Sequence, residues 1–518
     1  VIVRFAAATP LWLDEALSVA IARLDLAELP AALRRDGHPP LYYLVLRAWS
    51  GAFGDGDLAV RSLSGLFAVA TLPLAWLSGR RVAGRHGAAA ALVLVAISPF
   101  AVRYATETRM YAMVMALVFA GHLLLRSALD GRPSPDGNTA AGFARRLVGL
   151  AVVAGALYLT HYWSFFLAAA TVAALAVVWR RDPRAWRRAA ALRAGMAVVA
   201  GGVLFLPWLA SFLSQLGSTG TPWGTAARPT DVFGATFVDL GGPAAEGVLL
   251  SGTTLVLLAV GLFAVRPGLA GRTEAPSTGA GVELDLGTAP PARGEAAVAV
   301  ATLALGGVVG FLTEAAYASR YAAVVFPLLV LVAARGVAAL SPPKARVIAL
   351  VGVVALGAPG VYRALSYDRT QAEVLAAAIV AEAGPDDVVV TCPDQLGPSL
   401  VRALDQDGAG ALRVVGYPTL ERPERVDWFD YADRNRAAVP RTVAGEVLAS
   451  VPADATVWLV TNPAYRTFEG RCERLEVALG AARLPRSVVS ARPDRYFESA
   501  ELIAFDPVPD VGAGSTSG

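Results

Sequence analysis

Apolar residues along the chain come in long runs separated by short polar segments, and several runs approach the roughly 20 residues that a helix needs to cross a bilayer. Runs at 58–79, 87–103, 110–125, 147–160, 163–179, 194–213, 247–265, 296–313, 321–340 and 347–363 each predict a spanning helix. Residues 1–8 are apolar over too short a length and read as the tail of a further span, so the expectation is about 11 spans with the first one truncated. Between this stub and the first full run, 16–29 and 41–53 place apolar residues at helical spacing within a segment too polar to cross. That pattern predicts interfacial helices in the first external loop, lying in the plane of the membrane surface.

After residue 363 the pattern changes. Residues 373–383 read as a helix, 388–391 as a strand, 398–404 as a helix and 457–461 as a second strand. This alternation predicts an α/β domain. The expected organisation is a helical membrane domain at 1–363, an α/β domain at 364–507 and a disordered tail at 508–518. Residues 266–295, rich in Gly, Pro, Thr and acidic groups, are expected to form a flexible loop.

Composition agrees with a bilayer as solvent. Hydrophobic residues make up 55% of the 518, and charged residues 17%, where a soluble protein has about 25%. Mean hydropathy is +0.52. A net charge of +3 is too small to suggest a nucleic-acid partner. The distribution of charge says more, because one alternate set of inter-span segments carries nineteen basic residues and the other, longer set carries nine. Arginine and lysine accumulate on the cytoplasmic side, so 180–193 is expected inside, and 9–57 and the α/β domain outside. Of the 45 basic residues only Lys344 is a lysine, a bias that reads as a GC-rich bacterial genome and places the chain in a bacterial cytoplasmic membrane. No cleavable signal peptide is visible.

The external segments carry the candidate chemistry. Asp14 and Glu15 follow Pro10-Leu11-Trp12-Leu13; they either favour the positive end of a helix dipole or present a proton acceptor at the membrane surface. Asp36-Gly37-His38-Pro39-Pro40-Leu41-Tyr42-Tyr43 holds two prolines that stiffen the start of the next helix, with His38 a cap or a ligand. Arg103, Glu107, Arg109 and Tyr111 crowd one short loop, where ionisable groups pair with one another or serve a site. Arg320 and Tyr321 repeat the arrangement before the 321–340 run, and His161 and Tyr162 do so between 147–160 and 163–179 without a fixed charge. Arginine suits a phosphate because its planar fork donates two parallel hydrogen bonds and stays protonated. Walker loops, Cys/His zinc spacing and GxSxG elbows do not occur. A divalent cation held by carboxylates stays open. The two cysteines, Cys392 and Cys472, both fall in the α/β region, where an extracytoplasmic location makes them a candidate disulfide.

Taken together, these motifs resemble those of the polytopic GT-C glycosyltransferases that use polyprenyl-phosphate sugars, in particular the protein O-mannosyltransferases and the lipid A aminoarabinose transferases. Leu11-Trp12-Leu13-Asp14-Glu15-Ala16 resembles the acidic motif of the first external loop, and His38-Pro39-Pro40-Leu41 the HPPL motif. Arg61-Ser62-Leu63-Ser64, Glu107-Thr108-Arg109-Met110-Tyr111 and Ser319-Arg320-Tyr321 resemble later motifs. The resemblance spans residues 9–363 and leaves the α/β domain unmatched. It implies a multi-span GT-C bundle and an inverting transfer, with Asp14 as base and arginine holding the leaving phosphate. Donor, acceptor and membrane lipid would be the partners: a polyprenyl-phosphate sugar, mannose before arabinose, and a cell-envelope glycan, glycolipid or protein. Rival readings are a transporter or flippase of lipid-linked glycans, which predicts charges near the midplane and internal repeats, and a sensor with an external ligand-binding domain.

Overall fold

The structure is a computed structural model and describes residues 1–7, 9–131, 138–219, 221, 224, 226–265, 283–284, 292–341, 343–462, 465 and 470–509. Most of the loop expected at 266–295, and residues 510–518 of the expected tail, lie outside the described residues. In chain order the helices are α1 Leu13–Ala22, α2 Leu29–Asp36, α3 Leu41–Phe53, α4 Asp57–Ala96, α5 Pro99–Ala105, α6 Tyr111–Asp130, α7 Asn138–Tyr158, α8 Trp163–Arg181, α9 Ala185–Ala200 and α10 Leu209–Ser218. They continue with α11 Pro229–Gly241, α12 Ala245–Phe263, α13 Arg293–Leu312, α14 Phe326–Ala339, α15 Pro343–Ser366, α16 Ala372–Glu382, α17 Gly397–Gln406, α18 Tyr431–Ala437, α19 Pro440–Ala449 and α20 Arg471–Gly480. The strands are β1 Ala264–Val265, β2 Glu283–Leu284, β3 Asp368–Thr370, β4 Val388–Cys392, β5 Arg413–Gly416, β6 Val457–Thr461, β7 Leu484–Val489, β8 Tyr496–Glu498 and β9 Glu501–Asp506.

Contacts divide the chain into two compact units. The first comprises Val1–Ala7, His38–Ser214 and Gly224–Ser366; the second comprises Ala8–Gly37, Gln215–Trp223 and Tyr367–Gly518. The boundary expected after residue 363 thus falls at Ser366, but the acidic segment with α1 and α2 clusters with the α/β unit instead of with the membrane bundle.

In the first unit, eight segments of described helix are long and apolar enough to cross a membrane. One of them, α4, covers the 58–79 run and the 87–103 run as far as Ala96, the latter run ending in α5, and turns back at Ala83 and Gly84, whose backbones are not helical. Gly84 has φ +65, and a Cβ on Gly79 would lie 2.4 Å from the carbonyl oxygen of Gly87, so small residues let the two arms meet at backbone distance. The 194–213 run passes from α9 through a 3₁₀ stretch at Gly201–Trp208 that contains Pro207. The 321–340 run is helical only from Phe326, after a 3₁₀ turn at Ser319–Val324. A Cβ on Gly336 would stand 2.0 Å from the carbonyl oxygen of Leu257 and one on Gly261 2.2 Å from that of Val332, which fixes a close crossing of α12 and α14.

The second unit is built on a five-stranded sheet of order β5-β4-β6-β9-β7, with β4, β5 and β6 parallel and β9 antiparallel to both β6 and β7. Alternate residues feed two cores. Val389, Trp458 and Val460 pack with α16 and α17, while Val388, Val390, Val457 and Leu459 pack with α19 and α20. Burial on both faces explains why the strands read as unbroken apolar runs. Cys392 and Cys472 are joined by a disulfide, with Cα atoms 5.5 Å apart and 80 positions between them. A separate parallel pair, β3 with β8, stands outside this sheet. The helix predicted from the 16–29 spacing begins earlier, at Leu13, and all of α1 except Ala20 is buried. The face expected to lie in lipid is therefore covered by protein. α3 forms over the predicted 41–53 and keeps an exposed side, with Leu44 and Phe53 at the surface.

Candidate active site

In the bundle unit, the loop between α5 and α6 carries Thr106 to Met110. Ser98 caps α5 by accepting the Ala101 N–H, Pro99 occupies its first turn, and the helix stops at Ala105. The loop that follows is buried, and with it Glu107 and Arg109. Arg109 Nη2 lies 3.0 Å from His38 Nε2, and its Nη1 donates to the Tyr43 hydroxyl at 3.5 Å. Its carbonyl accepts from Ser64 Oγ at 3.2 Å, and Ser64 in turn meets the Tyr42 hydroxyl at 3.3 Å. His38 is placed by the prolines after it and by the Leu41 N–H, which donates to the Leu159 carbonyl at 2.9 Å. The HPPL segment thus docks on the end of α7 and turns its histidine toward Arg109.

Arg103 pairs with Asp239 at 3.6 Å and with Glu107 at 4.0 Å. An aromatic wall surrounds the cluster: Tyr111 stacks edgewise on Tyr104 at 4.9 Å, His161 lies 5.8 Å from Tyr111 and 5.3 Å from Tyr321, and Tyr321 packs on Trp163 and Tyr317. His161 lies in the loop between α7 and α8. Burial first, and then the neighbouring His38, Arg109 and Arg320, push its imidazole down to about 3, so it is neutral at physiological pH. Its Nδ1 accepts the Trp163 N–H at 3.2 Å. Three guanidinium groups, Arg103, Arg109 and Arg320, therefore share this region with two carboxylates, Glu107 and Asp239. The surplus of positive charge, the low-dielectric aromatic surround and the neutral histidine suit a bound phosphate. Tyr162 is not part of this group: its hydroxyl accepts from Trp208 Nε1 at 2.9 Å, and its ring packs with Phe205 and Phe212.

The second unit holds the acidic pair, and the two residues differ. Glu15 is wholly buried, and its Oε2 receives Arg369 Nη1 at 3.2 Å in an ion pair shielded from solvent. Asp14 is 9% exposed and lies close enough to Glu498 and Tyr465 for its charge to raise the pKa of both. Neighbouring helical residues diverge by about 100°, which is how the two carboxylates come to have different surroundings. Sequence reasoning missed Asp239, Tyr43 and Ser64 in the bundle and Arg369, Ser399 and Glu498 in the α/β unit. Tyr43 and Ser64 stand inside quoted motifs but were not singled out there; the other four stand in none, and each owes its place to long-range contact.

Among the described residues no group of three or more His, Cys, Asp or Glu side chains could hold a metal ion. Residues 37–210 match the sequence model of the family described as dolichyl-phosphate-mannose-protein mannosyltransferase. The fold is similar to the crystal structure of ArnT from Cupriavidus metallidurans in the apo state, with 15% identity, 97% of this chain and 96% of that one covered, and a TM-score of 0.61. It is similar also to the same protein bound to undecaprenyl phosphate, with 14% identity, the same coverage and a TM-score of 0.56. A comparison with curated proteins finds no match. The chain is a multi-pass membrane protein with the GT-C glycosyltransferase fold. Within that class it has an ArnT-like bundle and a C-terminal unit built on a small sheet.

Proposed function

We propose that the protein transfers a glycosyl residue from a polyprenyl-phosphate carrier to a cell-envelope acceptor on the outer face of the bacterial cytoplasmic membrane. The observation that carries this reading is the surplus of guanidinium charge around Arg109, His38 and His161, in the part of the chain that matches the mannosyltransferase family. The ArnT structure that binds undecaprenyl phosphate supports a carrier of that class. In the proposed step, an acceptor hydroxyl attacks the anomeric carbon from the face opposite the phosphate, and its proton passes to Asp14. The bond from that carbon to the phosphate oxygen breaks, and the electron pair leaves with the carrier phosphate, whose charge Arg109 and Arg320 stabilise. The product has inverted configuration.

The family match favours mannose over arabinose as the sugar, and the acceptor is a glycan, glycolipid or protein. Membranes containing the protein, supplied with labelled polyprenyl-phospho-mannose and a cell-envelope extract, should yield labelled product. Product from polyprenyl-phospho-arabinose alone would replace the sugar assignment. Movement of intact labelled lipid across the bilayer without bond cleavage would replace transfer with transport. The outward orientation is tested in intact cells with an impermeant thiol reagent: Gly445→Cys, on the open surface of α19, should react, and Trp186→Cys in the arginine-rich 180–193 segment should not.

A further inference from the structure

The start of α1 is held on both sides of Asp14 by residues more than 350 positions away, and all of them belong to the same compact unit. On one side the Leu13 N–H donates to Glu498 Oε2 at 2.9 Å. Leu13 is the first residue of α1, and Trp12 before it supplies no side-chain cap, so a distant carboxylate takes a helix-end donor that local sequence leaves without a partner. On the other side Arg369 binds Glu15 at 3.2 Å; its backbone N–H also donates to Thr9 Oγ1, before Asp14, at 2.8 Å. Phe497 sets its ring edgewise to Trp12 at 5.3 Å.

Glu498 is itself fixed. Its Oε1 accepts from Ser399 Oγ at 2.5 Å and from Thr370 Oγ1 at 2.6 Å, and Thr370 Oγ1 accepts the Ala372 N–H at 3.1 Å. Arg369 and Thr370 lie on β3 and Phe497 and Glu498 on β8, the two-stranded pair that stands apart from the five-stranded sheet. This pair therefore reads as a clamp on α1 in addition to its place in the α/β fold.

We propose that Glu498 and Arg369 are positioning residues for Asp14, the β3–β8 pair holding α1 by the Leu13 N–H before it and the Glu15 carboxylate after it, so that the Asp14 carboxylate keeps one direction. The proposal rests on the reading of Asp14 as the base. The charged and titratable groups near Asp14 include, among the described residues, Glu15 with its partner Arg369, and Glu498 and Tyr465. Burial pushes the Glu498 carboxyl up to about 7, against the hydrogen bonds from Ser399, Thr370 and Leu13 that pull it down, so the clamp carries its own pH signature.

The test uses the full-length protein in membranes, with labelled polyprenyl-phospho-mannose, or the arabinose donor where that one turns over, and an envelope extract at saturation. A displacement of a catalytic group by about 1 Å costs on the order of 100-fold in rate. Glu498→Ala and Arg369→Ala should accordingly lower kcat by roughly 10- to 100-fold while leaving KM for the donor within about twofold. Arg369→Lys should recover part of the loss, since it restores the charge but not the fork. In the unaltered protein kcat should fall as pH drops through the neutral range, because protonation of Glu498 weakens the acceptor for Leu13; in Glu498→Gln that step should be absent. If Asp14→Asn is inactive while the Glu498 and Arg369 variants keep both kcat and the pH step, the clamp is overturned and the base reading stands. Full activity of Asp14→Asn overturns both. Loss of folded protein in all four variants, the conservative pair included, overturns the clamp in favour of a role in folding alone.

Discussion

The arginine-rich cluster of the bundle and the acidic start of α1 solve opposite problems with the same material. In the bundle, Arg103, Arg109 and Arg320 gather positive charge against a wall of tyrosine, tryptophan and histidine rings, and local helix ends and short loops deliver each group. In the α/β unit, Glu15 is buried in an ion pair with Arg369, and the Leu13 N–H is tied to a second carboxylate, Glu498, 485 positions away. The first arrangement gathers charge where lipid and aromatic rings make it costly, so it is conspicuous. The second rests on pairs between positions far apart in sequence, and so leaves little trace in any one stretch of chain.

Asp14→Asn breaks this contrast most sharply. It keeps the shape of the side chain and removes the proton acceptor, so transfer should fall by about 10² to 10⁴-fold, the range of general-base catalysis. Glu15→Gln, which loses a buried ion pair instead, should appear mainly as lost folded protein. Turnover by membranes containing equal amounts of folded protein distinguishes the two, and the reverse pattern would exchange their roles.

The disulfide tests whether the α/β unit depends on its covalent tie. Cys392→Ser with Cys472→Ser opens a loop of 80 positions, worth about 4 kcal/mol in the chain-entropy model. Thermal unfolding followed by intrinsic fluorescence should show a marked drop in midpoint for this variant, and an unchanged midpoint would show the two cores to be sufficient without the bridge.

Arg109→Lys and Arg320→Lys sharpen the other side. The charge stays and the bidentate fork is lost, so the expected effect is a rise of about 10-fold in KM for the lipid-linked donor. Unchanged kinetics in both at limiting donor would assign these arginines to pairing within the bundle.

The smallest effect concerns pH. The Glu498 carboxyl, pushed up to about 7 by burial, binds its proton more tightly in the folded than in the unfolded chain. Its contribution to stability is therefore largest below the ordinary glutamate range and is lost as pH rises toward 7, up to a few kcal/mol in all, at about 1.4 kcal/mol per pH unit. Unfolding midpoints should decline as pH rises from the ordinary glutamate range, 4.5, to about 7, less steeply in Glu498→Gln; parallel declines in both proteins would remove Glu498 as the source.

By itself the sequence determined the solvent, the number of long apolar runs and the kind of chemistry. Membrane helices and doubly buried strands announce themselves as apolar runs, and an arginine among such runs stands out because burying it is costly. The motifs at Asp14, His38, Arg109 and Arg320 were legible for the same reason, as were α3, β4 and β6. Only the tertiary structure decided which unit α1 belongs to, that α4 folds back on itself at Gly84, that Tyr162 faces another aromatic group and that Glu15 is spent on Arg369. Those outcomes depend on pairings such as Leu13 with Glu498 and Gly336 with Leu257. A hydrogen bond or a backbone crossing between distant positions has no local period or composition to betray it, because its energy exists only once both partners have been brought together.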